Sequence, residues 1–181
     1  MTFDRGINCN LVIERFLMSE NKLLEYKTLS LSQARGMVDA VIFAAQKIDF
    51  PGVAVVVVDK AGDIIASARM DGKAGRFIKA AHRKAYTGAI FERDTSGVIK
   101  FWNEQQAKGH RGPTDWNDTM LTTLPGGYAV YHGAHVVGGL GVAGGFGDMP
   151  DAKFADIGIA SLGPEYRHSE DWDWMQNYVH R

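Results

Sequence analysis

Cysteine is almost missing from this sequence: Cys9 is the single one in 181 residues. No internal disulfide can form, and a cysteine-rich zinc cluster within one chain is excluded. Cys9 also lacks a matched histidine, so it is no candidate nucleophile. An excess of one charge is missing too. Twenty Lys and Arg stand against twenty-one Asp and Glu, a net charge of -1, which leaves no electrostatic footprint for nucleic acid or an anionic membrane. Long apolar runs are absent at the start, where Glu14, Arg15 and Glu20 interrupt the first residues. That stretch makes neither a secretory signal nor a membrane span. A reducing, cytoplasmic setting is expected, with Met18 as a second candidate start. There is no internal repeat, no Gly-x-Ser-x-Gly elbow and no phosphate-cradling P-loop.

What is there suits one domain: 45% apolar and 23% charged residues in a chain long enough for a sizeable core. Leu31, Ala34, Val38, Val41, Ile42, Ala45 and Ile48 recur at helical spacing, and Ser30 with Gln33 forms a capping box. After Pro51-Gly52 comes VAVVVV, a β-branched run too continuous for a strand buried on one side only. A turn at 59–63 and a second strand through Met70 complete a hairpin. Further helices are predicted at about 75–91, 98–107 and 149–161, the last capped by Asp148. Residues 109–124 read as a loop. Strands at 128–132 and 135–142 flank Gly133-Ala134, which fits a Gly-first two-residue turn. The order helix, hairpin, helix, helix, hairpin, helix lacks the crossover of a parallel sheet and points to an α+β fold, an antiparallel sheet flanked by helices.

Four blocks in order carry a resemblance: LSLSQARGMVDA, PGVAVVVVDKAGDIIASARMDG, KAAHRKAYTGAIF and LPGGYAVYHGAHVVGGLGVAGG. Together they resemble the GlcG/HbpS-like family, which includes the C-terminal domain of PduO-type proteins. The resemblance implies a profilin-like five-stranded antiparallel sheet with helices on both faces, assembly into homo-oligomers, and a small-molecule pocket beside helix 75–91. Haem occupies that pocket in some members. On this basis residues 1–28 are an N-terminal extension and 29–162 the domain. Residues 163–181, with Trp172, Trp174 and Tyr178, are an aromatic tail packing on the domain or a neighbouring subunit. Lys84 and Thr87 match the family's lysine-threonine block and by the resemblance join the ligand-binding set, and Arg69, Met70, Asp71 and Gly72 match its hairpin end. The chain departs from the family pattern at Ala143, where a serine is usual, at Tyr128-Ala129, and in the large residues His82, Arg83 and Tyr86.

These departures direct attention to one helix. His82 and Tyr86 lie four residues apart and share a face, with Arg76, Lys79 and Arg83 nearby. Such a set suits a carboxylate-bearing ligand such as haem, with His82 as iron ligand or general base. The plain alternative is a solvated basic face, with Lys84 a structural partner of Asp71. His110 and Arg111 in the long loop add a candidate base and an anion-binding guanidinium. The catalytic set for a rival reading, acid-base turnover of a small oxo-acid, is then His82, Tyr86, His110 and Arg111. A third reading is a purely structural ring-forming subunit. His132 and His135 face each other across the turn, but two imidazoles do not make a metal site even with Asp148 or Glu165 near, and no metal is assigned. Gly139-Leu140-Gly141-Val142-Ala143-Gly144 matches G-x-G-x-x-G literally. It falls inside a strand rather than between strand and helix, so its glycines are read as permitting close backbone approach.

Overall fold

The computed structural model describes residues 26–111 and 117–169. Within them the chain runs α1 (Leu31–Lys47), β1 (Ala54–Val58), β2 (Ile64–Arg69), α2 (Arg76–Ile90), α3 (Thr95–Ala107), β3 (Gly127–His132), β4 (His135–Ala143), α4 (Asp151–Ala160) and β5 (Tyr166–Arg167). The strands form one sheet in the order β2-β1-β4-β3-β5, antiparallel at every junction. This is the helix-flanked, profilin-like sheet that the resemblance implies. Periodicity and turns point to four of its strands. The fifth pairs two residues, Arg167 with Tyr131 and Tyr166 with His132, and lies in the stretch read as a tail.

The valine run is continuous because β1 is covered on both faces. Val55 and Val57 join Met37 and Val41 of α1, Phe154 of α4 and Leu140 and Val142 of β4 in the larger core. Ala54, Val56 and Val58 turn the other way and meet Ala81, Ala85 and Ala89 of α2. The first face is filled by large side chains, the second by methyl groups and glycines. A side chain at Gly139 or Gly141 would run into the Ala85 or Ala81 carbonyl, and one at Gly127 into that of Lys84. Reciprocally, a Cβ on Gly88 of α2 would lie 2.6 Å from the Tyr128 carbonyl oxygen. The glycine-rich stretch is therefore a seat on which α2 lies almost backbone to backbone, not a phosphate loop.

Three local expectations need correction. The last helix begins at Asp151, with Pro150 in the cap position and no side-chain cap. Asp148 is exposed and offers only its carbonyl, to Lys153 Nζ at 2.8 Å, because a proline at the boundary already fixes the entry dihedral. The third helix starts earlier than read, at Thr95 after Asp94. Ser30 and Gln33 do form the capping box on α1, and Gly133 takes the positive φ, 59°, of a Gly-first hairpin turn.

Candidate functional site

Helix α2 divides its residues between two tasks. Its inner side is spent on structure. Lys84, 3% exposed, donates from Nζ to the Val142 carbonyl at 2.8 Å and to Asp151 Oδ2 at 2.5 Å. Its partner is thus Asp151 rather than the expected Asp71, which is exposed in the turn after β2. Asp151 Oδ1 accepts the Gly145 N–H at 2.6 Å, so one ion pair ties α2, the end of β4 and the start of α4 together. Thr87, fully buried, donates to the Arg83 carbonyl at 2.8 Å and accepts the Thr122 N–H at 2.9 Å. The lysine-threonine block therefore holds the helix to the sheet and to the 117–126 loop. The hairpin-end block is structural as well: the Val53 N–H donates to Met70 Sδ at 3.4 Å, and the Arg69 guanidinium donates to the Lys73 carbonyl.

The outer side carries the cationic and titratable side chains. Arg76, Lys79 and Arg83 are exposed and His82 is half-buried; spacings of three and four put them along one stripe. Arg76 lies over the Phe77 ring at 4.8 Å, and Lys73 over the same ring at 4.8 Å. Arg83 donates to the Leu121 carbonyl at 2.7 Å. Among the described residues none of Arg76, Lys79 or Arg83 has a carboxylate partner. Tyr86 closes the stripe. Its ring sits on Gly62, where an added Cβ would lie 2.5 Å from Cδ2, and its hydroxyl donates to Asp118 Oδ2 at 2.9 Å. That bond, with burial and the carboxylate's charge, raises the phenol above its ordinary value.

The remaining sequence candidates lie on other elements. His110 and Arg111 are exposed beyond the end of α3, and the His110 N–H donates to the Gln105 carbonyl at 3.1 Å. His132 and His135 are opposed across the hairpin as expected. His132 lies 4.9 Å from the Tyr166 ring, and no metal-binding group of three is found among the described residues. Cys9, Met18, residues 112–116 and Trp172, Trp174 and Tyr178 lie outside the described residues. Among the described residues, clefts on other elements include two of note. One of about 530 Å³ runs between α4 and the 163–168 segment, and one of about 450 Å³ between α1 and β2. No described helix is long and apolar enough to cross a membrane.

Sequence reasoning missed three carboxylates. Asp151 and Asp94 stand at helix starts that the sequence reading placed elsewhere, while Asp118 falls in a loop with no periodic signal. The first holds Lys84, the third Tyr86; Asp94 is buried against His168, with Nδ1 at 2.6 Å from Oδ2.

Fold and site together define a profilin-like α+β domain whose best-seated helix turns a cationic, histidine-bearing stripe outward. A family model described as "Haem degrading protein HbpS-like" matches residues 29–160. The chain belongs to this HbpS-like family. It is similar to a double mutant of HbpS from Streptomyces reticuli, at 30% identity over 80% of this chain and 93% of that one, with a TM-score of 0.67. A structure titled as a PduOC:heme complex is 25% identical over 74% of this chain and 94% of that one, TM-score 0.63. The Klebsiella pneumoniae protein ORFY shares the fold at 24% identity, covering 78% and 95%, TM-score 0.68. Among curated proteins none matches.

Proposed function

We propose that this chain is a small-molecule-binding protein of the HbpS-like family, that the outer stripe of α2 receives a flat, carboxylate-bearing ligand, and that haem is that ligand. The observation that carries the reading is three cations, Arg76, Lys79 and Arg83, on one exposed stripe with no carboxylate partner among the described residues, beside the half-buried imidazole of His82. Haem bears two propionates, which guanidinium and ammonium groups pair with well, and its iron takes an axial imidazole. The donor set fits: Arg76, Lys79 and Arg83 would hold the propionates and His82 the iron. The relative titled as a heme complex supports the same ligand class. Binding is favoured over acid-base turnover because Tyr86, the acid of the catalytic set, is committed to Asp118 and its proton is held more firmly than in a free phenol. A cytoplasmic homo-oligomer is the setting in which we place this activity.

Haemin titration of the purified protein tests the reading. A Soret shift that saturates at one haem per chain is expected, lost in His82→Ala. Neutralising Arg76, Lys79 and Arg83 together should weaken binding by roughly tenfold or more, at about 0.5–1 kcal/mol per exposed charge pair, and added salt should do the same to the native protein. A native spectrum that does not change at saturating haemin refutes haem as the ligand.

A further inference from the structure

Asp94 occupies the N-cap position of α3 with extended dihedrals, yet its side chain makes no capping bond. It forgoes the local stabilisation of a helix cap and turns instead toward His168 and Ser169. The carboxylate is buried, 2% exposed. Its Oδ1 accepts the N–H groups of Ala129 at 3.0 Å and Ser169 at 3.2 Å, and its Oδ2 meets His168 Nδ1 at 2.6 Å. The backbone of Asp94 answers with its own N–H, donated to Ser169 Oγ at 2.6 Å. The His168 ring stacks on Tyr128, centroids 4.2 Å apart and 11° from parallel. On its far side Nε2 lies 3.7 Å from Asp156 Oδ1, the oxygen that also accepts the Tyr128 hydroxyl at 2.7 Å.

This cluster fastens a strand too short to hold itself. β5 contributes only Tyr166 and Arg167 to the ladder, and an isolated two-residue pairing is marginal. Side-chain contacts assist it: Tyr166 Oη accepts from Gln33 Nε2 at 2.6 Å, its ring lies 4.9 Å from that of His132, and the Arg167 guanidinium lies 4.5 Å over the Tyr131 ring and donates to the Gly133 carbonyl at 3.4 Å. The charged contact is His168, set between a carboxylate from the start of α3 and another from α4.

We propose that residues 166–169 form a proton-sensitive latch over the β3 edge, fastened by the protonated state of His168. An imidazolium can donate from Nδ1 to Asp94 and from Nε2 toward Asp156. A neutral ring that keeps its proton on Nδ1 turns a lone pair toward the Asp156 carboxylate, and that contact becomes repulsive. Among the described residues, the charged and titratable groups beside the ring are Asp94 at the start of α3, Asp156 from α4, Tyr128 from β3 and, next along the chain, the exposed Arg167; two carboxylates against one guanidinium favour the cation. The sign follows. The latch is tightest where both carboxylates are ionised and the imidazole carries its proton, on the mildly acidic side of neutrality. It loosens as rising pH removes that proton. Tyr166, Arg167 and His168 also wall the cleft of about 530 Å³. Release opens that cleft and bares the outer edge of β3, a template for another strand.

Hydrogen exchange of the full chain at pH 5.5 and pH 8.0, corrected for the intrinsic chemical rate, reads the latch directly through the 166–169 amides. The Ser169 N–H is the sharpest reporter because it is bonded to Asp94. Its protection should fall roughly tenfold at the higher pH, the equivalent of one unit of proton linkage, while β1 amides stay unchanged. In His168→Gln protection at pH 5.5 should drop to the alkaline level and the pH step should vanish. Asp156→Asn, at a side chain 48% exposed and so no threat to folding, should shrink the step. Equal corrected protection at both pH values in the native protein overturns the proposal, as does a step that persists undiminished in Asp156→Asn.

Discussion

Replacing Gly141 by alanine tests how closely α2 lies on the sheet. Gly141 is in the centre of β4, paired with Val56 of β1 and Gly127 of β3. The added methyl would overlap the Ala81 carbonyl oxygen and stand 2.6 Å from the Ala85 nitrogen. Both are backbone atoms of α2, so no rotamer change relieves the contact and the helix itself has to lift by about 1 Å to restore van der Waals distance. Lifting it strains every neighbour at once: the Lys84 ion pair to Asp151, the Thr87 contact to Thr122 and the Gly88 approach to Tyr128. Overpacking of this kind costs about 3 kcal/mol, the upper part of the usual range. For a chain of this size that is a fall of about 6–12 °C in melting temperature, or about 1.5 M in urea midpoint at a slope of roughly 2 kcal/mol/M. Gly36→Ala is the control. That glycine is exposed on α1, and an added Cβ meets nothing within 4 Å, so the variant should gain about 0.5–1 kcal/mol from helix propensity. Urea unfolding of both variants beside the native protein decides the matter. A Gly141→Ala variant as stable as the native protein would show that α2 is not seated on the glycines.

Other outcomes follow from the same contacts. Lys84→Met removes one partner of a buried ion pair and leaves Asp151 and the Val142 carbonyl without their donor, so a loss of about 3–5 kcal/mol in urea unfolding is expected. Phe154→Ala empties a fully buried site between α4 and the sheet and should cost about 3–5 kcal/mol by the same measurement. Tyr86 has its phenol raised in the folded state by the bond to Asp118, by burial and by that carboxylate's charge. Its contribution is therefore whole below about pH 10, the unfolded value, and is lost as pH climbs through the raised folded value. Thermal melts of Tyr86→Phe against native protein should differ most near neutral pH and converge in strong alkali.

The fold was legible where a single residue pattern has a single physical cause. The unbroken run from Val53 to Val58 needs cover on both faces, and α1 and α2 provide it. The Ser30–Gln33 box and Gly133 act within three residues of themselves, so their geometry was readable from spacing alone. Long-range partners were not. Asp71 is near Lys84 in sequence and Asp151 is far, yet α4 brings Asp151 to the ammonium. Asp94 looks like a helix cap and is a hub for β3 and the 166–169 segment instead. The fifth strand has two residues and no alternation to detect. Only the family resemblance anticipated it.

Where the candidate site is concerned, spacing found the stripe but not its division of labour. The block that the resemblance singles out, Lys84 and Thr87, points inward and is engaged by Asp151, Val142 and Thr122. The residues that depart from the family pattern, His82 and Arg83, point outward, with Arg76 and Lys79 beside them. A helix pressed this closely on its sheet has no freedom to rotate, since its glycine and alanine contacts exist at one angle only. Its outer face is therefore held as rigidly as its inner one, and the charges displayed on it are preorganised by the helix itself. Substitutions should sort accordingly. Changes at Lys84, Thr87 or Gly88 should lower stability, and ligand affinity only through it. Changes at Arg76, Lys79 or His82 should lower affinity with little effect on unfolding. Loss of affinity from an inner variant at full retained stability would break this separation and place the ligand on the other side of the helix.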